Sequence, residues 1–150
     1  MNVGTICQRL VITVSRSDEV VAAAQLMRSK HVGYLVVVEP VSGGGSRPVG
    51  VLSDRDIVIA VVAREVDPRT LRVGDIMTPE PATVGESESV EEALRTMRQF
   101  GVRRLPVVNP HGELCGIVAV DDVLKVIAGD ALDIVSAARN ERALESRRRP

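Results

Sequence analysis

The sequence predicts a mixed α/β fold of the α+β kind: two pseudo-twofold-related units, each strand-helix-strand-strand-helix, packed sheet to sheet. Three observations carry this. The N-terminal 65 or so residues recur in the C-terminal half. Each copy holds one stretch with apolar residues at i, i+3, i+4 and i+7, the spacing of an amphipathic helix. Each copy then holds two short apolar runs parted by a Gly/Pro turn region, which read as a hairpin.

The repeat is continuous. Val3-Gly4-Thr5-Ile6-Cys7 aligns with Val73-Gly74-Asp75-Ile76-Met77 at an offset of 70, and the same offset pairs Thr13-Val14 with Thr83-Val84 and Leu35 with Leu105. It then becomes 66, pairing Gly50 with Gly116, Val51 with Ile117 and Asp56 with Asp122. The difference is a longer loop in the first copy, Glu39 to Pro48, which carries three consecutive glycines and is bounded by prolines; the second copy has the shorter Asn109 to Glu113.

In chain order, an extended piece opens each unit, Leu10 to Val14 and Pro81 to Val84. A helix start follows at Ser17-Asp18 and at Ser89, where Glu92 completes an S-x-x-E capping box. The helical faces are Val20, Ala23, Ala24 and Met27, and Val90, Ala93, Leu94 and Met97. The hairpins pair Tyr34 to Val38 with Val49 to Leu52, and Leu105 to Val108 with Leu114 to Val118. Closing helices run from about Asp54 to Arg64 and from about Asp121 to Ala128. This divides the chain into units 1–65 and 66–130 with a charged helix or tail, 131–150. A unit of about 60 residues cannot easily bury both faces of so small a sheet. Two copies packed together can, with a cleft on each side of the pseudo-axis.

Composition narrows the function. With 19 Lys plus Arg against 20 Asp plus Glu, the net charge of −1 offers no global field for DNA or anionic lipid. One Phe, one Tyr and no Trp argue against a stacking platform for single-stranded nucleic acid. No apolar run approaches the roughly 20 residues that span a bilayer, and no secretory pattern opens the chain, so the expected compartment is cytoplasmic. Cys7 and Cys115 sit singly in apolar contexts and read as structural thiols. His31 and His111 have no nucleophile or metal-ligand partner at useful spacing, and no GxGxxG, Walker-type or HExxH pattern occurs. The expectation is no catalytic residue, no metal and no obligatory cofactor.

The second copy, VGDIMTPEPATV followed by VEEALRTMRQFGVRRLPVVNPHGELCGIVAVDDVL, closely resembles a CBS domain, and the first matches with VGTICQRLVITV, VVAAAQLMRSKHVGYLVVVEP and PVGVLSDRDIVIAV. The resemblance is to a stand-alone tandem CBS pair, or Bateman module, over about residues 1–130. It implies a non-catalytic regulatory protein that binds AMP, ADP, ATP or S-adenosylmethionine between the repeats, pairs as a homodimer, and signals adenylate state to an effector protein. The alternative is a nucleotide-independent scaffold or interaction module.

The family's ribose motif, Gly, two apolar residues, Ser or Thr, two variable residues and Asp, is intact as Gly50-Val51-Leu52-Ser53-Asp54-Arg55-Asp56. An ionised Asp can accept from both ribose hydroxyls, and a Ser hydroxyl beside a helix N-terminus can hold a phosphate. Read without the resemblance, Ser53 is an N-cap and Asp56 a first-turn carboxylate. The second copy keeps Asp122 but has Ala119 for the hydroxyl, which puts phosphate binding there in doubt. The resemblance further points to Thr83, Val102 and Arg103 as the adenine wall opposite Ser53 and Asp56, and to Arg104 as that site's phosphate ligand; the first copy has His31-Val32-Gly33-Tyr34 instead. The apolar residues Ile57, Ile59, Val61, Val62, Val123, Val126 and Ile127 of the closing helices are the expected dimer face. Leu132, Val135, Ala138 and Leu144 give the tail a loose apolar stripe before its terminal arginines, a solvated helix or a docking segment.

Overall fold

The computed structural model describes residues 1–148 and contains two small sheets flanked by helices. In chain order the elements are α1 (Val3–Ile6), β1 (Thr13–Val14), α2 (Val20–Lys30), β2 (Tyr34–Pro40), β3 (Ser46–Ser53), α3 (Asp54–Ile57), α4 (Val73–Ile76), β4 (Thr78–Pro79), β5 (Val84–Gly85), α5 (Val90–Phe100), β6 (Arg104–Val108), β7 (Leu114–Ala119) and α6 (Val120–Arg148). A π-helical turn, Val58–Val62, continues α3, and a 3-10 turn, Pro68–Thr70, precedes α4. The sheets run β1-β2-β3-β4 and β5-β6-β7. In each, the opening strand is parallel to the second strand, which pairs antiparallel with the third.

The two cores correspond residue for residue. Val14, Ala23, Met27, Leu35, Val37 and Leu52 form one, and Val84, Ala93, Met97, Leu105, Val107 and Val118 the other. Each is completed from the opposite repeat. Val3 of α1 is fully buried among the second set, and Val73 of α4 among the first. The backbone shows the same exchange: the Val3 and Gly4 amides donate to Glu88 and Glu86 carbonyls at 2.8 Å, and those of Val73 and Gly74 to Asp18 and Arg16, also at 2.8 Å. The chain after each short helix then crosses the other repeat's hairpin. Gln8 bridges Ile117, and Thr78 pairs with Val51. This crossing explains the equivalent glycines Gly50 and Gly116. A Cβ on Gly116 would lie 2.8 Å from Cys7 Sγ, closer than packing allows, and one on Gly50 would lie 3.1 Å from the Thr78 carbonyl oxygen, tighter than most Cβ contacts.

Several local features differ from the sequence expectation. The first hairpin extends into the expected loop, because Glu39 opposes Arg47 and Pro40 opposes Ser46, so the loop proper is Val41 to Gly45. Glu39 and Arg47 form an ion pair across those strands. The first closing helix becomes a π turn after Ile57, with the Ala63 amide donating to Val58. The second continues to Arg148, since between Val120 and Arg148 the only Gly or Pro is Gly129 and Ala, Leu, Glu and Arg are strong helix formers. The opening strands are reduced to two residues each. Glu19, rather than Ser17 or Asp18, is the N-cap of α2, while Asp18 closes the preceding turn by accepting from the Ser15 amide. Ser89 caps α5 as expected, but the Glu92 carboxylate pairs with Arg95. Arg149 and Pro150, which end the arginine-rich tail, lie outside the described residues.

Candidate functional site

The two equivalent carboxylates, Asp56 and Asp122, each sit where a third strand turns into a helix. At the end of β3 the Ser53 amide donates to Asp56 Oδ2 at 2.8 Å, and the Asp56 amide donates to Ser53 Oγ at 3.1 Å. This reciprocal pair satisfies two donors at the start of α3. At the end of β7 the Ala119 amide donates to Asp122 Oδ2 at 2.8 Å. The return bond is lost with the hydroxyl. Asp122 is only 8% exposed, and its Oδ1 accepts at 3.2 Å from the Gln8 side-chain amide, a residue of the other repeat.

A cleft of about 120 Å³ lies beside Asp122. The second repeat contributes Arg104, Ile117, Ala119 and Asp122; the first contributes Gln8 and Leu10 to Ile12 from the segment before β1, and Val32 to Tyr34 from the start of β2. Strand register explains why Arg104 is here. It opposes Ala119 across the β6–β7 hairpin, just as Tyr34 opposes Ser53 across β2–β3. Arg104 also stacks on the Tyr34 ring at 5.7 Å from its centroid, a cation–π contact between repeat-equivalent positions. Burial pushes the Tyr34 phenol up to about 12, opposed by the Arg104 charge and reinforced by the Asp56 carboxylate.

The residues singled out from sequence thus divide into groups. Arg104 and Asp122 share one cleft; the sequence expectation had set Arg104 with Ser53 and Asp56. Ser53 and Asp56 are bonded to each other. Thr83 lines a separate depression with Glu86, Glu88 and Asn109. Val102 is 39% exposed, and the Arg103 guanidinium turns outward to Asp121 at 3.9 Å. Gln8 and Tyr34 were missed. The repeat offset that marks Arg104 also marks Tyr34, and the register of the hairpin would have placed each beside its own motif. Cys7 and Cys115 pack against the second core, and burial pushes both thiols up.

The CBS domain family matches this chain twice, over residues 3–63 and 73–129. The chain is a tandem CBS-domain protein. An uncharacterized protein of Methanopyrus kandleri is 37% identical over 126 residues, 84% of this chain and 62% of that one, so the CBS pair spans less than two thirds of that relative. Hypoxic response protein 1 of Mycobacterium tuberculosis is 35% identical over 147 residues, covering 97% of this chain and 95% of its own. The crystal structure of Hypoxic Response Protein I, with two coordinated zinc ions, superposes with a TM-score of 0.71 at 32% identity, over 83% of this chain and 98% of that one. Among the described residues of the CBS pair no group of three or more His, Cys, Asp or Glu is placed to hold a metal ion. A CBS domain protein from Pyrobaculum aerophilum complexed with AMP has a TM-score of 0.72 at 28% identity, over 81% of this chain and 89% of that one. No helix among the described residues is long and apolar enough to cross a membrane.

Proposed function

We propose that this CBS pair is a non-catalytic regulatory module that binds an adenosine-containing ligand, AMP, ADP, ATP or S-adenosylmethionine, in the cleft beside Asp122. The observation that carries this is the placement of Arg104 and Asp122 in one inter-repeat cleft. A vicinal diol donates two hydrogen bonds to a carboxylate, and a guanidinium matches phosphate oxygens with a planar fork of donors. Apolar walls from Val11, Ile12, Val32 and Ile117 suit a flat base between those two polar groups. The AMP complex of the Pyrobaculum protein supports the ligand class. Ser53 and Asp56, facing Val102 and Arg103, are the second site we propose; Thr83 lines a separate depression.

Occupancy is read out through assembly. Val58, Ile59, Val62, Leu124 and Ile127 are about half or more exposed on the closing helices, and they form the face that pairs two copies into a homodimer or meets an effector in the cytoplasm. Val61 and Val123, placed on the same face by sequence, are instead buried within the chain. The test is calorimetry with AMP, ADP, ATP and S-adenosylmethionine. Binding of at least one ligand at one site per chain, lost in Asp122→Ala, is the expected result. Absence of binding by all four removes the sensor reading and leaves the scaffold, for which the exposed Leu132, Ile134 and Val135 of α6 are the favouring observation.

A further inference from the structure

Asp122 already has a partner where a ligand would need one. Its Oδ2 accepts from the Ala119 amide within its own repeat, and Oδ1 is the oxygen with no partner inside that repeat. That oxygen is taken by Gln8 Nε2 at 3.2 Å. The main chain of Gln8 cannot move aside easily. Its amide donates to the Ile117 carbonyl and its carbonyl accepts from the Ile117 amide, both at 2.9 Å. The side chain can, because it is exposed at the cleft rim and turns on three single bonds. The cleft is also small. At about 120 Å³ it falls short of the roughly 300 Å³ at the lower end of small-molecule pockets. Thr78, the repeat equivalent of Gln8, makes no hydrogen bond to Asp56 among the described residues, so the arrangement belongs to one cleft only.

We propose that Gln8 is a displaceable latch: in the ligand-free chain its side-chain amide holds the Asp122 oxygen that a ribose diol takes up, and binding requires this amide to swing out of the cleft. Two consequences follow from the geometry. The latch satisfies a buried carboxylate that would otherwise be short of a donor, and it sets a threshold, since the ligand must first break a charge-assisted hydrogen bond. It also ties occupancy to the crossing segment that carries α1 into the second core, because Gln8 is the residue through which that segment touches Asp122.

This rests on the nucleoside reading of the cleft, and the experiment separates the two. AMP affinity is measured by calorimetry on wild type, Gln8→Ala, Gln8→Thr (the residue the other repeat uses) and Asp122→Ala, with the Gln8 side-chain amide followed by NMR. Both Gln8 variants are expected to bind AMP about 3- to 10-fold more tightly, the worth of one partly exposed charge-assisted hydrogen bond. The wild-type Gln8 amide resonances should move on AMP addition to the positions they occupy in ligand-free Asp122→Ala. Weaker or unchanged affinity in both Gln8 variants, or amide resonances that stay in place while AMP binds through Asp122, overturns the latch and leaves the nucleoside reading standing. AMP binding that is indifferent to Asp122→Ala, or is absent, removes the nucleoside reading and the latch with it.

Discussion

Across the first hairpin the hydroxyl of Ser53 opposes an aromatic ring, Tyr34; across the second the methyl of Ala119 opposes a guanidinium, Arg104. Each hairpin end thus carries half of what we propose would hold a phosphate, a hydroxyl at one and a guanidinium at the other. The halves are unequal. A hydrogen bond from a charged donor such as a guanidinium is roughly twice as strong as one from a neutral hydroxyl. The comparison ranks the Asp122 side first for a phosphorylated ligand, although its motif is the incomplete one. Motif completeness describes the helix cap at Ser53 as much as it describes a binding site.

The largest effect should come from the carboxylates. Asp122→Ala is expected to weaken AMP binding by about 100-fold or more, the cost of losing two charge-assisted hydrogen bonds to the diol. Asp56→Ala should change the tighter of any two binding events by less than about threefold. Calorimetry at matched ionic strength checks both, with circular dichroism confirming the fold. A larger loss in Asp56→Ala would reverse the ranking of the clefts.

The exchanged helices give the next largest effect and test the two halves as folding units. Val3 and Val73 are each fully buried in the opposite repeat's core. Truncating either to Ala should cost about 2 kcal/mol through lost burial and a small cavity. At this chain length that is a fall of about 4–8 °C in Tm. Because each core borrows a residue from the other repeat, both variants should unfold in one transition by calorimetry. Two separated transitions would show that the repeats are independent after all.

Much of this was legible in the sequence, and the misses have physical causes. The repeat, the hairpins and both helical faces were readable because each rests on local periodicity, which Val20, Ala23 and Met27 or Leu105 and Val107 display over a few residues. The exchange of α1 and α4 was not, since Val3 finds its neighbours at Val84 and beyond, and nothing near Val3 distinguishes its own core from the other. The same limit applied to Arg104. The family resemblance makes it the phosphate ligand of the opposite repeat's Ser53 and Asp56, but antiparallel register pairs it with Ala119, in the same cleft as Asp122. From sequence the second closing helix ends at about Ala128 and 131–150 stands apart as a charged helix or tail, whereas α6 runs through Gly129 without a break to Arg148.

Smaller changes sharpen the split of phosphate equipment. Arg104→Gln should weaken AMP by about tenfold while leaving adenosine, which has no phosphate, nearly unaffected. Ala119→Ser, which restores the hydroxyl, should strengthen AMP by a few fold and again spare adenosine. Competition binding with the AMP–adenosine pair measures both. Equal losses for the two ligands in Arg104→Gln would make Arg104 a packing partner of Tyr34 rather than a phosphate ligand.

The smallest expected effect concerns how each repeat leaves its first helix. α2 ends at His31 with φ 55°, and α5 ends at Gly101 with φ 64°, both left-handed. Only the second repeat uses the residue suited to that conformation, since a side chain there meets the backbone and costs about 1 kcal/mol. His31 is exposed. Replacing it with Gly removes that strain but adds backbone freedom to the unfolded chain, so the net gain should be about 0.5 kcal/mol, read as a rise of about 1–2 °C in Tm. The reciprocal change, Gly101→His, should lower stability by a similar amount. A destabilised His31→Gly would mean that the imidazole contributes to the turn before β2, and that the two helix ends, alike in backbone, are held by different means.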